Sequence, residues 1–289
     1  MSDLAAETLA KVIEMESAGK AVEALEILDQ AIAGGLEDVL IYSRRGKLLE
    51  FLQRYEQAFS SFSKAASIES NFRDHYNAGN MLLILKQYEE AIVAFEQSII
   101  CRADYPECWT NKGIAHHSLE QFDDARICFA EALKTDPEFT PALRCKAILY
   151  SSLGDESTSC EFYEKAAQLQ PDKASAWFEY GCALYRNLGE GQVFFEPNGP
   201  EGKTIQVFDK VIELQPDTQG AWGRKIGVLF RLADAAIAAE RAAGDGTDAP
   251  KIFPLIQGEL LQTAQTACER FPDDQWFADR RKEAEELSS

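Results

Sequence analysis

Residues Trp109 to Pro137 read WTNKGIAHHSLEQFDDARICFAEALKTDP. In its second half, Phe122, Ala125, Phe129 and Ala132 stand three and four residues apart. That spacing lines apolar side chains along one face of an α-helix. From Gly113, a step of 34 residues reaches Gly79 upstream and Ala147 downstream, and one more reaches Gly181. Phe95, Phe129 and Tyr163 keep the same step, as do Ser98, Ala132 and Ala166. Trp109, Leu143 and Trp177 each stand four residues before a small position, and Pro137 and Pro171 close two of the units. A fixed period of this length marks a repeat architecture of two antiparallel helices, neither of which buries its apolar stripe alone. Gly113 and Ala125 are small so that the paired helices approach closely, and Phe129 fills the gap between units. Pro137 ends the unit because a helix interior cannot hold it.

The pattern resembles the tetratricopeptide repeat (TPR) family, W-x2-L-G-x2-Y followed by A-x3-F, A and P. Trp109, Gly113, Ala125, Phe129, Ala132 and Pro137 fill it, while Lys112 and His116 occupy the Leu and Tyr positions. The register extends upstream through Gly46, Ala58, Phe62 and Ala65, and then through Gly19, Ala24, Leu28 and Ala31 as a first unit. Downstream, Trp177 and Gly181 open a unit closed by Phe208 and Pro216, and Trp222 opens another that ends near Ala267 and Pro272. The reading is therefore all-α: a right-handed α-solenoid of about seven TPR helix pairs plus a C-terminal capping helix over about 275–287. It is expected to form a single domain over 1–289, with insertions at about 188–203 and 243–251.

The chain of 289 residues carries 29 Lys and Arg against 48 Asp and Glu, a net charge of −19. Such a balance argues against nucleic acid as a partner, because phosphate neutralisation needs basic patches. No stretch approaches the ~18 consecutive apolar residues of a membrane span. The N-terminal MSDLAAETLAKVIEME is acidic and amphipathic, unlike a secretory signal. Seven cysteines, with no pair at C-x-x-C spacing, read as buried thiols in a reducing cytoplasm.

Two features imitate chemistry. Pro197 to Thr204, PNGPEGKT, resembles a phosphate-binding G-x4-G-K-[ST] loop, but proline stands at its first glycine and Pro200 lacks an N–H for phosphate. Gly202-Lys203-Thr204 reads instead as a helix entry. His116 and His117 are adjacent, so on a helix they diverge by roughly 100° and cannot share a metal. With no G-x-S-x-G and no H-E-x-x-H, the sequence points to no enzyme, no metal and no cofactor.

The TPR resemblance implies that the first helix of each pair lines a concave groove and that the residue two before the small position faces into it. These residues are Arg44, Asn77, Asn111, Cys145 and Glu179. Lys47 and Asn80 follow three residues after the first two, and Arg73 and Arg144 hold neighbouring positions. Asparagine offers a donor and an acceptor to an extended peptide backbone, and the cations would read its carboxylates. The pair Asn77–Asn111 is similar to the asparagine ladder of O-linked N-acetylglucosamine transferase repeats. Asn80 and Asn111 match two positions of the carboxylate clamp of heat-shock co-chaperones. The clamp's basic positions hold Ser43 or Tyr76 and Glu107 or Pro141.

These residues either solvate an unused groove or grip a partner. The expected function is a cytoplasmic, non-enzymatic scaffold that binds an extended or acidic protein segment at Arg44, Lys47, Arg73, Asn77, Asn80, Asn111 and Arg144. The alternative is an acidic inhibitory, immunity or chaperone-like protein that neutralises a basic partner. In the first insertion, Val193, Phe194 and Phe195 either tuck onto the solenoid or form a partner-contact loop.

Overall fold

The computed structural model describes residues 3–189, 193, 199–243 and 252–287. Among them are fifteen α-helices and no strand. They are α1 (Asp3–Ser17), α2 (Ala21–Ala33), α3 (Val39–Phe51), α4 (Tyr55–Ile68), α5 (Phe72–Ile84), α6 (Tyr88–Cys101), α7 (Pro106–Ser118) and α8 (Phe122–Thr135). Then come α9 (Thr140–Ser152), α10 (Glu156–Gln168), α11 (Ala174–Asn187), α12 (Pro200–Leu214), α13 (Gln219–Ala243), α14 (Ile252–Arg270) and α15 (Gln275–Glu286). Consecutive helices pair as α1/α2, α3/α4, α5/α6 and α7/α8 in the first part of the chain and as α11/α12 and α13/α14 in the second, with α15 packed on α14. The fold is an α-solenoid of helix pairs. Residue contacts divide the chain into two compact units, Met1–Leu149 and Tyr150–Ser289.

One small–large contact recurs in the pairs. A methyl group placed on Gly46, Gly79, Gly113 or Gly181 would lie 2.6, 2.6, 2.5 or 2.7 Å from Cε1 of Phe62, Phe95, Phe129 or Phe208. Each of these phenylalanines is buried. At these four positions a side-chain carbon would collide with the ring of the second helix, which rests on the glycine Cα. Three tryptophans repeat another contact: Nε1 of Trp109, Trp177 and Trp222 donates to the carbonyl six residues earlier, at Ala103, Pro171 and Pro216. Each side chain therefore ties the start of its helix to the preceding inter-repeat turn. The second helices open on acids, among them Glu23, Glu56, Glu89, Asp123 and Glu156. There they complement the positive end of the helix dipole.

The first unit needs a correction. Gly19 does not occupy the small position of a helix. It lies in the turn between α1 and α2, with φ +73°. Gln53, Lys86, Glu120 and Gly154 hold the same left-handed turn position in later pairs. The small position belongs to Val12, 34 residues before Gly46, and both Val12 and Leu28 are buried in the cluster beneath it.

In the second unit, the core gathers Ile226, Leu229, Leu232, Leu260, Ala264 and Phe277. Phe271 stacks on Phe277 at 5.4 Å, fastening α15 to the end of α14. The resemblance of Pro197–Thr204 to a phosphate loop ends in a helix. Pro200 stands in the first turn of α12, Lys203 Nζ pairs with Glu164 at 3.0 Å, and Thr204 Oγ1 donates to the Pro200 carbonyl at 2.7 Å.

Burial pushes Tyr76 and Tyr180 up to about 12, and Cys108, Cys128 and Cys160 up to about 11. A raised acid favours the folded state only while it stays protonated, so this contribution is lost as pH climbs. Unfolding free energy from urea titrations is expected to show no loss from these groups below about pH 9, and then to fall through about pH 12. A rise over that interval would contradict the burial of these side chains.

Candidate partner-binding face

In the first unit, the polar residues singled out from sequence fall on the first helices of successive pairs, α3, α5, α7 and α9. Three sets of contacts join neighbouring first helices. Arg44 on α3 pairs with Glu16 on α1. Ser43 Oγ on α3 donates to the buried Asp74 carboxylate on α5, at 2.7 and 2.8 Å. Asn111 Nδ2 on α7 donates to Asn80 Oδ1 at 2.8 Å and to the Tyr76 hydroxyl at 3.2 Å, both on α5.

These bonds revise the expected roles. Asn80 and Asn111 form one bonded unit with Tyr76 instead of two free amides. Both Nδ2 protons of Asn111 are engaged, which leaves its Oδ1 as an acceptor, while the Asn80 side chain also hydrogen-bonds Tyr76. Asn77 is half-buried, and its side chain makes no hydrogen bond among the described residues. Lys47 and Arg73 are exposed and form no salt bridge among the described residues, although Arg73 lies 5.5 Å over the Phe72 ring. Arg144 is half-buried on α9.

A cleft of about 320 Å³ opens beside Arg44 and Lys47, between α1, the turn at Gly19 and α3. Leu48 and Phe51 form its apolar side, and Phe51 is 74% exposed. Sequence reasoning missed Phe51 and Glu16. The available signal was Ile84, an exposed apolar residue 33 positions after Phe51 in the last turn of α5.

Charge separates the two kinds of helix. In this unit, α1, α3, α5 and α7 carry 6 basic and 7 acidic side chains, whereas α2, α4, α6 and α8 carry 3 and 10. A basic side chain also recurs where the first helix passes between second helices. Arg45 bonds Asp29 of α2 at 2.6 Å and Ser61 of α4 at 2.6 Å, and Lys112 pairs with Glu96 of α6 at 2.8 Å. In the second unit, Lys225 pairs with Asp209 of α12 at 2.7 Å and Glu259 of α14 at 3.1 Å.

Val193 of the first insertion is half-buried against the α13–α15 cluster, in a cleft that also holds Phe230, Trp276 and Arg280. Phe194 and Phe195 lie outside the described residues. None of the seven cysteines forms a disulfide, and only Cys101 is exposed. Among the described residues, no His, Cys, Asp and Glu side chains cluster to hold a metal, and no helix is long and apolar enough to cross a membrane.

Pairs of this geometry, repeated along the chain, define a tetratricopeptide repeat protein, and the chain belongs to that family. Tetratricopeptide repeat models match residues 106–139 and, separately, 40–72, 75–99 and 146–173. Over 87 residues the chain is 32% identical to the Hsp70-Hsp90 organising protein of Plasmodium falciparum, covering 29% of this chain and 34% of that protein. It spans about a third or less of the length of the curated relatives it matches. Among solved structures, the C-terminal part of a TPR repeat-containing protein from Cytophaga hutchinsonii superposes with a TM-score of 0.69 at 13% identity, covering 94% of this chain and 98% of that one. A tetratricopeptide repeat protein from Parabacteroides merdae gives 0.62 at 16% identity, covering 91% and 99%. Both likenesses concern the fold.

Proposed function

We propose that the chain is a non-catalytic interaction scaffold whose first unit holds an extended, acidic partner segment along the face of α1, α3, α5 and α7. One observation carries this reading. In a chain of net charge −19, two cations without salt bridges, Lys47 and Arg73, and an unbonded amide, Asn77, share the first-helix face with an open cleft walled by Phe51. An extended segment arrives with unpaired backbone groups, which Asn77 and Asn111 Oδ1 can satisfy. Lys47, Arg73 and Arg144 would meet its carboxylates, and Phe51 and Leu48 an apolar side chain. Arg44 is already bound to Glu16 and therefore shapes the cleft more than it offers a free charge.

The relative from Plasmodium is by name an organiser of Hsp70 and Hsp90. That partner is not carried over to this chain. At the clamp's basic positions, Ser43 is bound to Asp74 and Glu107 is acidic.

The test uses fluorescent twelve-residue peptides that alternate leucine with glutamate or with glutamine. Charge reversal at two exposed sites changes binding by roughly 1–2 kcal/mol, or about five- to thirtyfold. The glutamate peptide is expected to bind the wild type and to weaken by that factor against Lys47→Glu/Arg73→Glu, with the melting temperature unchanged. Equal affinity for wild type and variant would overturn the assignment.

A further inference from the structure

A second surface lies on the opposite kind of helix. Between α4 and α6, over the floor of α5, runs a cleft of about 420 Å³. Its floor is Ala78 and Leu82, its walls include Phe59, Ser63 and Ala94, and Val93, 57% exposed, stands at its edge. The cleft exists because one recurring contact is missing. Where Arg45, Lys112 and Lys225 reach an acid on the preceding second helix, the corresponding residue of α5 is Ala78. The acids those cations meet, Asp29, Glu96 and Asp209, have Ser63 as their counterpart on α4. A charged bridge is thus replaced by two small neutral residues, and the space it would fill is open and apolar.

The surroundings are acidic. Glu90 lines the cleft, Glu56 and Glu89 stand in the first turns of α4 and α6, and none of the three forms a salt bridge among the described residues. We infer that this cleft docks an amphipathic basic helix of a partner protein. Its apolar anchors would sit on Ala78, Leu82 and Phe59, and its Lys and Arg residues would face Glu56, Glu89 and Glu90. A groove between two helices accepts a third through residues at i, i+3, i+4 and i+7. The acidic excess of α2, α4, α6 and α8 selects the sign of that helix. The inference rests on a different face from the extended-segment reading and stands or falls apart from it.

The test restores the missing bridge. Ser63→Glu with Ala78→Lys installs the pair found in α6 and α7, leaves the net charge unchanged and fills the cleft. A dansylated sixteen-residue Leu/Lys amphipathic helical peptide serves as the probe, with a Leu/Glu peptide of the same pattern as control. The expected result is binding of the Leu/Lys peptide alone, weakened at least tenfold by the double substitution while the melting temperature holds or rises. If the double substitution folds and binds the Leu/Lys peptide as tightly as the wild type, attraction to the overall negative charge explains the binding and the inference fails. Equal binding of the Leu/Glu peptide would also overturn it. So would a dimer in sedimentation that the double substitution abolishes, since the occupant would then be a second copy. A variant that loses its helical signal is replaced by Val93→Gln/Ala94→Gln, which blocks the apolar edge without changing the net charge; undiminished Leu/Lys binding to that variant refutes the inference.

Discussion

Replacing Phe129 with alanine is expected to lower the unfolding free energy by about 3–5 kcal/mol, the range for truncating a buried aromatic side chain. The ring is buried with Ala125 and Leu149, and Ile114, Phe122 and Cys145 pack around it. Its Cε1 lies against Gly113, so removing the ring opens a space that a glycine cannot close. In a repeat architecture each pair depends on its neighbours, so the loss removes packing within the α7/α8 pair and toward Leu149 of α9 together. Urea unfolding followed by far-UV circular dichroism measures it. A change below about 1 kcal/mol would mean that the ring does not fill the core it occupies here.

The second large effect comes from the other side of the same contact. Gly113→Ala places a methyl group 2.5 Å from Phe129 Cε1 and 3.1 Å from Cys128 Cβ. Overpacking of this kind costs about 1–3 kcal/mol, more than the helix-propensity gain of about 1 kcal/mol for exchanging glycine for alanine. The sign should reverse at Gly258 in α14, where an added methyl group meets nothing within 4 Å. There the same exchange is expected to stabilise by about 0.5–1 kcal/mol. Combining Gly113→Ala with Phe129→Leu should cost less than the sum of the two, because the smaller side chain vacates the space the methyl group needs. Additive losses would place the strain elsewhere.

The same contact explains why the fold is legible in the sequence. A glycine that must touch an aromatic residue across two helices recurs at steps of 33, 34 and twice 34 residues, at Gly46, Gly79, Gly113 and Gly181. The first pair is harder to read because Val12 carries no small-residue signature, while Gly19, serving a turn, imitates one. The candidate site is legible only as a set of positions. Arg44, Asn77 and Asn111 do fall on the first helices of successive pairs, yet nothing in their spacing shows that Asn111 bonds Asn80 or that Arg44 bonds Glu16. Such bonds depend on rotamers and helix separation, which a repeat pattern does not encode. Lys112, a departure from the family pattern, is explained by Glu96 sixteen residues earlier, an interval that Arg45–Asp29 and Lys225–Asp209 share.

The central claim is that the first-helix face of the first unit holds an extended partner segment. It is tested most directly by affinity capture from the native extract, with wild type and a Lys47→Glu/Asn77→Ala variant immobilised at equal density and the captured proteins quantified by mass spectrometry. Both positions leave the Asn80–Asn111 bond and the Arg44–Glu16 pair intact. The expected result is a partner recovered on the wild type, reduced at least fivefold on the variant, whose minimal binding fragment is an extended acidic segment. A partner recovered equally on both proteins would contradict the claim and move binding away from this face.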